Sequence, residues 1–372
     1  MAYSDILDPS AHFQAVTYTG TGPNQDIVND GPSDLKPDLV WVKNRTNGSY
    51  GVVVHDSMRG SNYNLYLNTA YGDDAEGVDS VQSTIQSFNT NGFTGASSTT
   101  IYNILWINGL NYGYVAWQWK ANGGTSTTTP NGTQTTNNMQ MSTKHQVNSA
   151  AGFSICLYQG ATSYGSFYHG LGVKPDVVMI KSRNAYDWVM YHSALGYTHT
   201  VYPHTNGAGD TGTAFLSAEP DTTQVYCKDH NSVFRPNGAD SYLAYCFAEK
   251  QGYSKFGSYV GNGNADGTFV YTGFKPAFVM IKNASATESW VIYDTKRNSY
   301  NPTDLKLSPD TADSENNNSA IGGAAYNNID ILSNGFKCVK NNAATNGSGN
   351  TLIYMAFAEN PFVTSTGIPT TA

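Results

Sequence analysis

The sequence predicts an all-β chain built from three tandem β-sandwich units, and three observations predict it. One string recurs: Lys36-Pro37-Asp38-Leu39-Val40-Trp41-Val42-Lys43-Asn44-Arg45 returns as Lys174-Pro175-Asp176-Val177-Val178-Met179-Ile180-Lys181-Ser182-Arg183 and as Lys275-Pro276-Ala277-Phe278-Val279-Met280-Ile281-Lys282-Asn283. Proline fixes φ and disfavours helix at the residue before it. The β-branched apolar run that follows, closed by Lys, has the length and character of a strand covered on both faces. A second triplicate closes each unit. Aligned on Trp119, Phe247 and Phe357, one face reads Val115-Trp117-Trp119, Leu243-Tyr245-Phe247 and Ile353-Met355-Phe357, while Ala116, Ala244 and Ala356 fall on the other. A strand wedged between two packed layers needs such a division. The third observation is composition. Charged residues make up 13% of the chain, about half the roughly 25% usual for globular domains. Asn, Thr, Ser, Gly and Tyr must then supply the polar surface, a mix that suits strands joined by many turns.

Taken in order, residues 1–11 precede the first repeat and are expected to be an N-terminal docking segment. Unit 1 spans 12–120. It opens on the alternating Phe13–Tyr18 and passes through the Lys-Pro strand. An Asn47-Gly48 turn then leads into Gly51–Asp56 as a hairpin. Ser87-Phe88-Asn89 and Asn91-Gly92-Phe93 mark a strand–turn–strand junction. Residues 121–151 are Gly-, Thr-, Asn- and Ser-rich and read as a polar linker or an extended strap. Unit 2, 152–251, opens at Phe153–Tyr158 and pairs its Lys-Pro strand with Trp188–His192. Unit 3, 252–360, opens at Tyr253–Tyr259, pairs its strand with Trp290–Asp294 and restates the junction as Ser333-Asn334-Gly335-Phe336. Residues 361–372 form a C-terminal tail.

The chain is long enough, at 372 residues, for two or three domains. Its net charge of -8 argues against nucleic-acid binding, which usually needs a basic face. No apolar run reaches the roughly 18 residues of a membrane-spanning helix, so no membrane insertion is expected. The N-terminal Met1–Asp5 lacks the basic and apolar regions of a classical signal peptide. Four cysteines, Cys156, Cys227, Cys246 and Cys338, lack CxxC spacing and read as buried free thiols.

The search for chemistry returns weak candidates. Walker-type, HExxH and GxSxG motifs are absent. His192, His199 and His204 come nearest to a histidine cluster but lie in a Gly- and Thr-rich region without an accompanying carboxylate pattern, so surface decoration is favoured over a metal site. Asn262-Gly263-Asn264-Ala265-Asp266-Gly267 resembles the first half of a calcium loop. Gly273 stands where the bidentate Glu belongs, and a plain β-turn accounts for the string. The acidic stretch Asp73–Asp79 reads as a solvated loop rather than a calcium clamp. Asp56 and Arg59, repeated as Asp294 and Arg297, are expected to pin a turn. Unit 2 replaces them with His192 and Leu195. Glu249 and Glu359 occupy the same place in different units, as structural positions do, and not the converging pair of a glycosidase. The chain is thus expected to be no enzyme and to hold no catalytic residue, metal or cofactor. The 26 tyrosines, among them Tyr63, Tyr66, Tyr71, Tyr112, Tyr164, Tyr168, Tyr197 and Tyr202, offer either edge packing or a rigid contact surface for glycan or protein.

Several of these strings together carry a resemblance. Pro-Asp-Leu-Val-Trp-Val-Lys-Asn-Arg, Tyr114–Lys120, Gly170-Leu171-Gly172, Ala244–Glu249, Gly252–Gly257 and Tyr354–Phe362 resemble the repeated β-domain of tailed-phage virion proteins of the marine and cyanophage type, tail fibres or particle appendages. The resemblance covers nearly the whole chain and is weakest over 121–151. It implies lectin-like, concanavalin-like jelly-roll sandwiches and a place on the surface of a virion assembled in the host cytoplasm. The expected partners are other virion structural proteins, a host-surface glycan or protein receptor, and further copies of the chain, with a homotrimer favoured. It implies no ligand site. The alternatives are a carbohydrate-binding protein and a carbohydrate-degrading depolymerase on the same scaffold.

Overall fold

The computed structural model describes residues 6–61, 63–73, 85–96, 106–130, 139–160, 164–212, 214–233, 240–317 and 329–360. Antiparallel sheets dominate. Among the described residues, helix is confined to a 3₁₀ turn, Pro9–Ala11, and one turn of α-helix, Ala343–Asn346. The expected all-β class of several sandwiches is the observed one.

Unit 1 comprises β1 (Phe13–Thr19), β2 (Gln25–Ile27), β3 (Leu39–Asn44), β4 (Val53–Asp56), β5 (Leu65–Tyr66), β6 (Ile85–Phe88), β7 (Phe93–Gly95) and β8 (Gly113–Trp119). Its main sheet runs β1-β8-β3-β4-β5 and its small sheet β2-β7-β6. The closing strand β8 therefore lies between the opening strand and the Lys-Pro strand, with Phe13 and Leu39 both opposite Trp119. The β6–β7 turn needs Gly92: its φ is +93°, and a Cβ there would sit 2.0 Å from the Ile27 carbonyl oxygen.

The connection read as a polar linker belongs largely to unit 2. It supplies β9 (Thr127–Thr129), β10 (Met139–Gln140) and β11 (Thr143–Asn148). These join β12 (Phe153–Gln159), β13 (Gly165–Tyr168), β14 (Val177–Ser182), β15 (Trp188–His192), β16 (Gln224–Cys227) and β17 (Ser241–Phe247). The main sheet runs β15-β14-β17-β12-β11-β9 and the small one β10-β13-β16. The sequence hid these strands because Thr143–Asn148 lacks an apolar alternation. It is held by its full antiparallel register with β12 instead.

Unit 3 repeats the first with β18 (Ser254–Val260), β19 (Phe269–Tyr271), β20 (Phe278–Asn283), β21 (Val291–Asp294), β22 (Leu305–Lys306), β23 (Asn316–Asn317), β24 (Ile329–Leu332), β25 (Gly335–Cys338) and β26 (Thr351–Phe357). The main sheet is β18-β26-β20-β21 and the small sheet β19-β25-β24, with β22 and β23 paired separately.

Each main sheet is buried on both faces. The face carrying Tyr114 and Ala116, Tyr242 and Ala244, or Tyr354 and Ala356 packs on that unit's own small sheet, giving three private cores. The opposite faces meet in one shared core in which Phe13, Trp119, Phe247, Phe256, Phe278 and Phe357 interlock. Trp119 lies 6.4 Å from Phe247 and 5.6 Å from Phe357 between ring centroids, and Phe247 lies 5.8 Å from Phe357. Those three rings come from the alignment position that defined the repeat, one per unit. The units are therefore not beads on a string; they close around a common centre. All four cysteines are free and buried.

Candidate functional site

The residues singled out by the repeat hold this ring closed. The strand-ending lysines Lys43, Lys181 and Lys282 are all fully buried. Lys181 Nζ donates to the Ala70 carbonyl of unit 1 at 3.0 Å, Lys282 Nζ to the Asn206 carbonyl of unit 2 at 3.2 Å, and Lys43 Nζ to the Thr311 carbonyl of unit 3 at 2.8 Å. Burial lowers their pKa values to about 7, 7 and 8 for Lys43, Lys181 and Lys282. Backbone bonds follow the same cycle: Asp73 N to Arg183 O at 3.1 Å, Gly209 N to Ala284 O at 2.9 Å and Glu315 N to Arg45 O at 2.7 Å. Trp188 and Trp290, four residues before the ends of their strands' repeat, donate to the Tyr66 and Tyr202 carbonyls of the preceding unit, each at 3.0 Å.

The two Asp–Arg pairs are buried turn pins. Asp56 Oδ1 accepts from Arg59 N at 2.8 Å while Oδ2 pairs with Arg59 Nε at 2.5 Å; Asp294 and Arg297 repeat this at 2.9 and 2.6 Å. Arg59 also reaches Asp73, which Arg183 of unit 2 grips at 2.7 Å. Asp73 is thus an interface residue with a fully buried side chain, not a solvated one; the rest of that acidic stretch, 74–79, lies outside the described residues.

The remaining candidates are dispersed. His192 is buried at the unit 2–unit 3 contact, His204 pairs with Asp187 at 3.0 Å, and His199 touches Thr198. In the calcium-like string, Asn262 Oδ1 accepts from Asn264 N at 2.9 Å and from Asn346 Nδ2 at 3.0 Å, while Asp266 pairs with Lys337. Its oxygens serve a turn. Among the described residues, no group of three or more His, Cys, Asp or Glu side chains is placed to hold a metal ion. Glu249 of unit 2 pairs with Lys255 at 2.5 Å and Glu359 of unit 3 with Lys296 at 3.2 Å. Of the eight tyrosines named above, two of which, Tyr66 and Tyr168, end strands, Tyr71 and Tyr164 are exposed and the other six are half-buried; Tyr66, for example, packs on Trp106 at 4.4 Å.

One concave feature breaks the repeat. In units 1 and 3 the opening strands β1 and β18 end their sheets, whereas β12 is extended by β11 and β9. The added strands widen the unit 2 main sheet, and an open cleft of about 320 Å³ lies over the face they extend. Register places its residues. Thr128, Lys144, Leu157 and Leu243 stand opposite one another across four strands, and Gln159 is opposite Ser241 one step further on. Directly opposite residues share a face, so Lys144, Leu157 and Gln159 project to one side. Arg183, whose backbone N–H bonds the Ser241 carbonyl at 2.8 Å, completes the rim. Sequence reasoning missed this site because it depends on strands that carry no sequence signal of their own.

Residues 8–361 match the family described as Domain of unknown function (DUF7483), and the chain belongs to that family. No curated protein and no solved structure matches it.

Proposed function

We propose that this chain is a structural protein on the surface of a tailed-phage particle, a tail fibre or appendage that takes part in attachment to the host. The observation that carries the reading is the closed ring of three sandwiches, with ionisable side chains spent on locking one unit to the next. Lys43, Lys181, Lys282, Asp56, Asp73 and Asp294 are all buried in such contacts. A part that must stay folded outside a cell without disulfides is served by this arrangement, and many copies can be arrayed by symmetry. Its partners in this reading are other virion structural proteins on one side and a host-surface glycan or protein on the other. Electron microscopy of purified particles with an antibody to the chain tests it. Labelling at fixed sites on the particle is expected; an unlabelled particle, with the protein recovered only in the soluble lysate, overturns it.

A second reading, a carbohydrate-binding protein, is favoured by the unit 2 cleft, whose rim is made of hydroxyl, amide and cationic side chains. A depolymerase lacks comparable support. The carboxylates at the repeat-equivalent positions, Glu249 in unit 2 and Glu359 in unit 3, are each paired with a lysine.

A further inference from the structure

We infer that the unit 2 cleft binds a carboxylated saccharide, a uronic-acid-type glycan, with Lys144 and Arg183 taking the carboxylate and Thr128, Gln159 and Ser241 the ring hydroxyls. This deepens the surface-attachment reading and rests on it for its biological setting. The chain as a whole is acidic, with a net charge of -8, yet among the described residues those lining the cleft include Lys144 and Arg183 and no carboxylate. Lys144 is exposed and has no acidic partner among the described residues. Arg183 is held in place from behind: its Nε donates to the buried Asp73 at 2.7 Å and its guanidinium carbon lies 5.1 Å from the Tyr63 ring centroid. A guanidinium fixed on one edge is preorganised for an anion on another.

The remaining chemistry fits a sugar better than a small inorganic anion. Thr128 and Gln159 are exposed and Ser241 half-buried, a set of neutral donors and acceptors spread over β9, β12 and β17 of one sheet whose strands lie about 4.8 Å apart. Leu157 is half-buried between them and offers an apolar floor for the C–H face of a pyranose ring. The volume of about 320 Å³ lies at the lower end of the roughly 300–1,000 Å³ of small-ligand sites. The cleft lies in the unit whose main sheet the extra strands β9 and β11 extend, and Thr128 and Lys144 come from those strands.

The test is calorimetric titration of the full chain with oligogalacturonate, and with the same oligosaccharide after methyl esterification. The ester keeps every ring and hydroxyl and removes the charge. The expected result is saturable binding of the acid form that weakens with added salt, with the ester at least about tenfold weaker. Lys144→Glu, a change at an exposed side chain, should abolish binding, and Gln159→Ala should weaken it. Lys337→Glu, on unit 3, should leave it unchanged. Equal binding of acid and ester, equal loss with Lys337→Glu, full competition by inorganic phosphate, or no binding of the acid form overturns the inference. Failure here is separable from failure of the particle reading: labelled particles without saccharide binding sink only the cleft, and saccharide binding with unlabelled particles sinks only the virion assignment.

Discussion

The hydroxyl of Tyr245 lies 2.8 Å from Asp56 Oδ2, so a buried carboxylate of unit 1 is held by Arg59 from its own turn and by a phenol from unit 2. Trp117 of unit 1 does the same for Asp294 of unit 3, its indole Nε1–H donating at 3.0 Å. The third place in this cycle explains why unit 2 departs from the pattern. The residue equivalent to Tyr245 and Trp117 is Met355, which has no proton to donate. A carboxylate at position 192 would be buried one hydrogen bond short. His192 stands there instead, with Leu195 in place of the arginine. Its Nδ1 accepts from Ala194 N at 3.2 Å, and Nε2–H donates to the Tyr354 carbonyl at 3.2 Å. Burial lowers its pKa to about 4, so the ring is neutral at pH 7.

Tyr245→Phe should therefore destabilise the protein by about 1–3 kcal/mol, because it leaves a buried carboxylate oxygen without its second donor. His192→Asp should cost more, roughly 3–5 kcal/mol, by placing an unpaired charge in the same kind of site. Urea denaturation of the full chain measures both. A His192→Asp variant as stable as the parent would refute the account of unit 2.

The interlocking lysines predict an unusual dependence of stability on pH. Their folded pKa values of about 7 to 8 lie below the unfolded value of about 10.4. Between those limits the unfolded chain binds more protons, so stability rises with pH from about 7 towards 10 and is lost as pH falls through the folded pKa. Glu359 acts in the opposite sense. Burial raises its pKa to about 7 despite Lys296 beside it, so the folded state holds the extra proton and this contribution is lost as pH rises from about 4 to 7. Below about pH 6.5 the buried His55, His169 and His192, lowered to about 3, 4 and 4, act in the same sense as the lysines and outweigh Glu359, while above about pH 9 the raised thiols of Cys227, Cys246 and Cys338 oppose the lysines, so stability climbs from pH 5 to 6.5 and again from about 7 to 9. Urea midpoints from pH 5 to 9.5 should trace this course, and Lys181→Met should flatten the alkaline limb; a monotonic fall above pH 7 would contradict the burial of these three charges.

How much of this was legible in the sequence differs by element. The Lys-Pro strands and the closing strands were visible because burial on both faces writes a continuous apolar run, and because Trp119, Phe247 and Phe357 repeat one position. What lay across from those faces was not visible. A row of large side chains reports that a layer covers it, not whether the layer is the unit's own second sheet or two other units. Asp56 and Arg59 could be read as a turn pin, but Tyr245, 189 residues away, could not be assigned to them. The cleft was hidden for a different reason. Thr143–Asn148 is strand by pairing alone, and Lys144 and Gln159 become neighbours of Arg183 only once that pairing is made.

The four thiols offer a check on the packing itself. Cys227 and Cys338 are pushed up to about 12 and 11 by burial, and Cys246 is raised in the same direction beside Cys156. Thiolate is the reactive form, so both access and ionisation oppose modification. Fewer than about one thiol per chain should react with a disulfide reagent at pH 8 within minutes, and all four after denaturation. Rapid reaction of the native protein would mean that the private cores of units 2 and 3 open readily.

The ring also bears on how many copies assemble. A homotrimer is the expectation from sequence, and a cycle of three unit contacts already runs within one chain: unit 2 on unit 1 through Arg183 and Asp73, unit 3 on unit 2 through Lys282 and Asn206, and unit 1 on unit 3 through Arg45 and Glu315 at 2.8 Å. Each unit donates one such surface and receives one, so among the described residues this set of contacts closes after three units. Light scattering of the isolated protein should accordingly give the single-chain mass of 40.1 kDa. Glu315→Arg should weaken closure at the unit 1–unit 3 contact, lowering the melting temperature by several degrees for a loss of about 1–3 kcal/mol, without changing that mass. A trimer that survives dilution would show that the outer faces of the ring, and not the contacts described above, carry a further threefold interface.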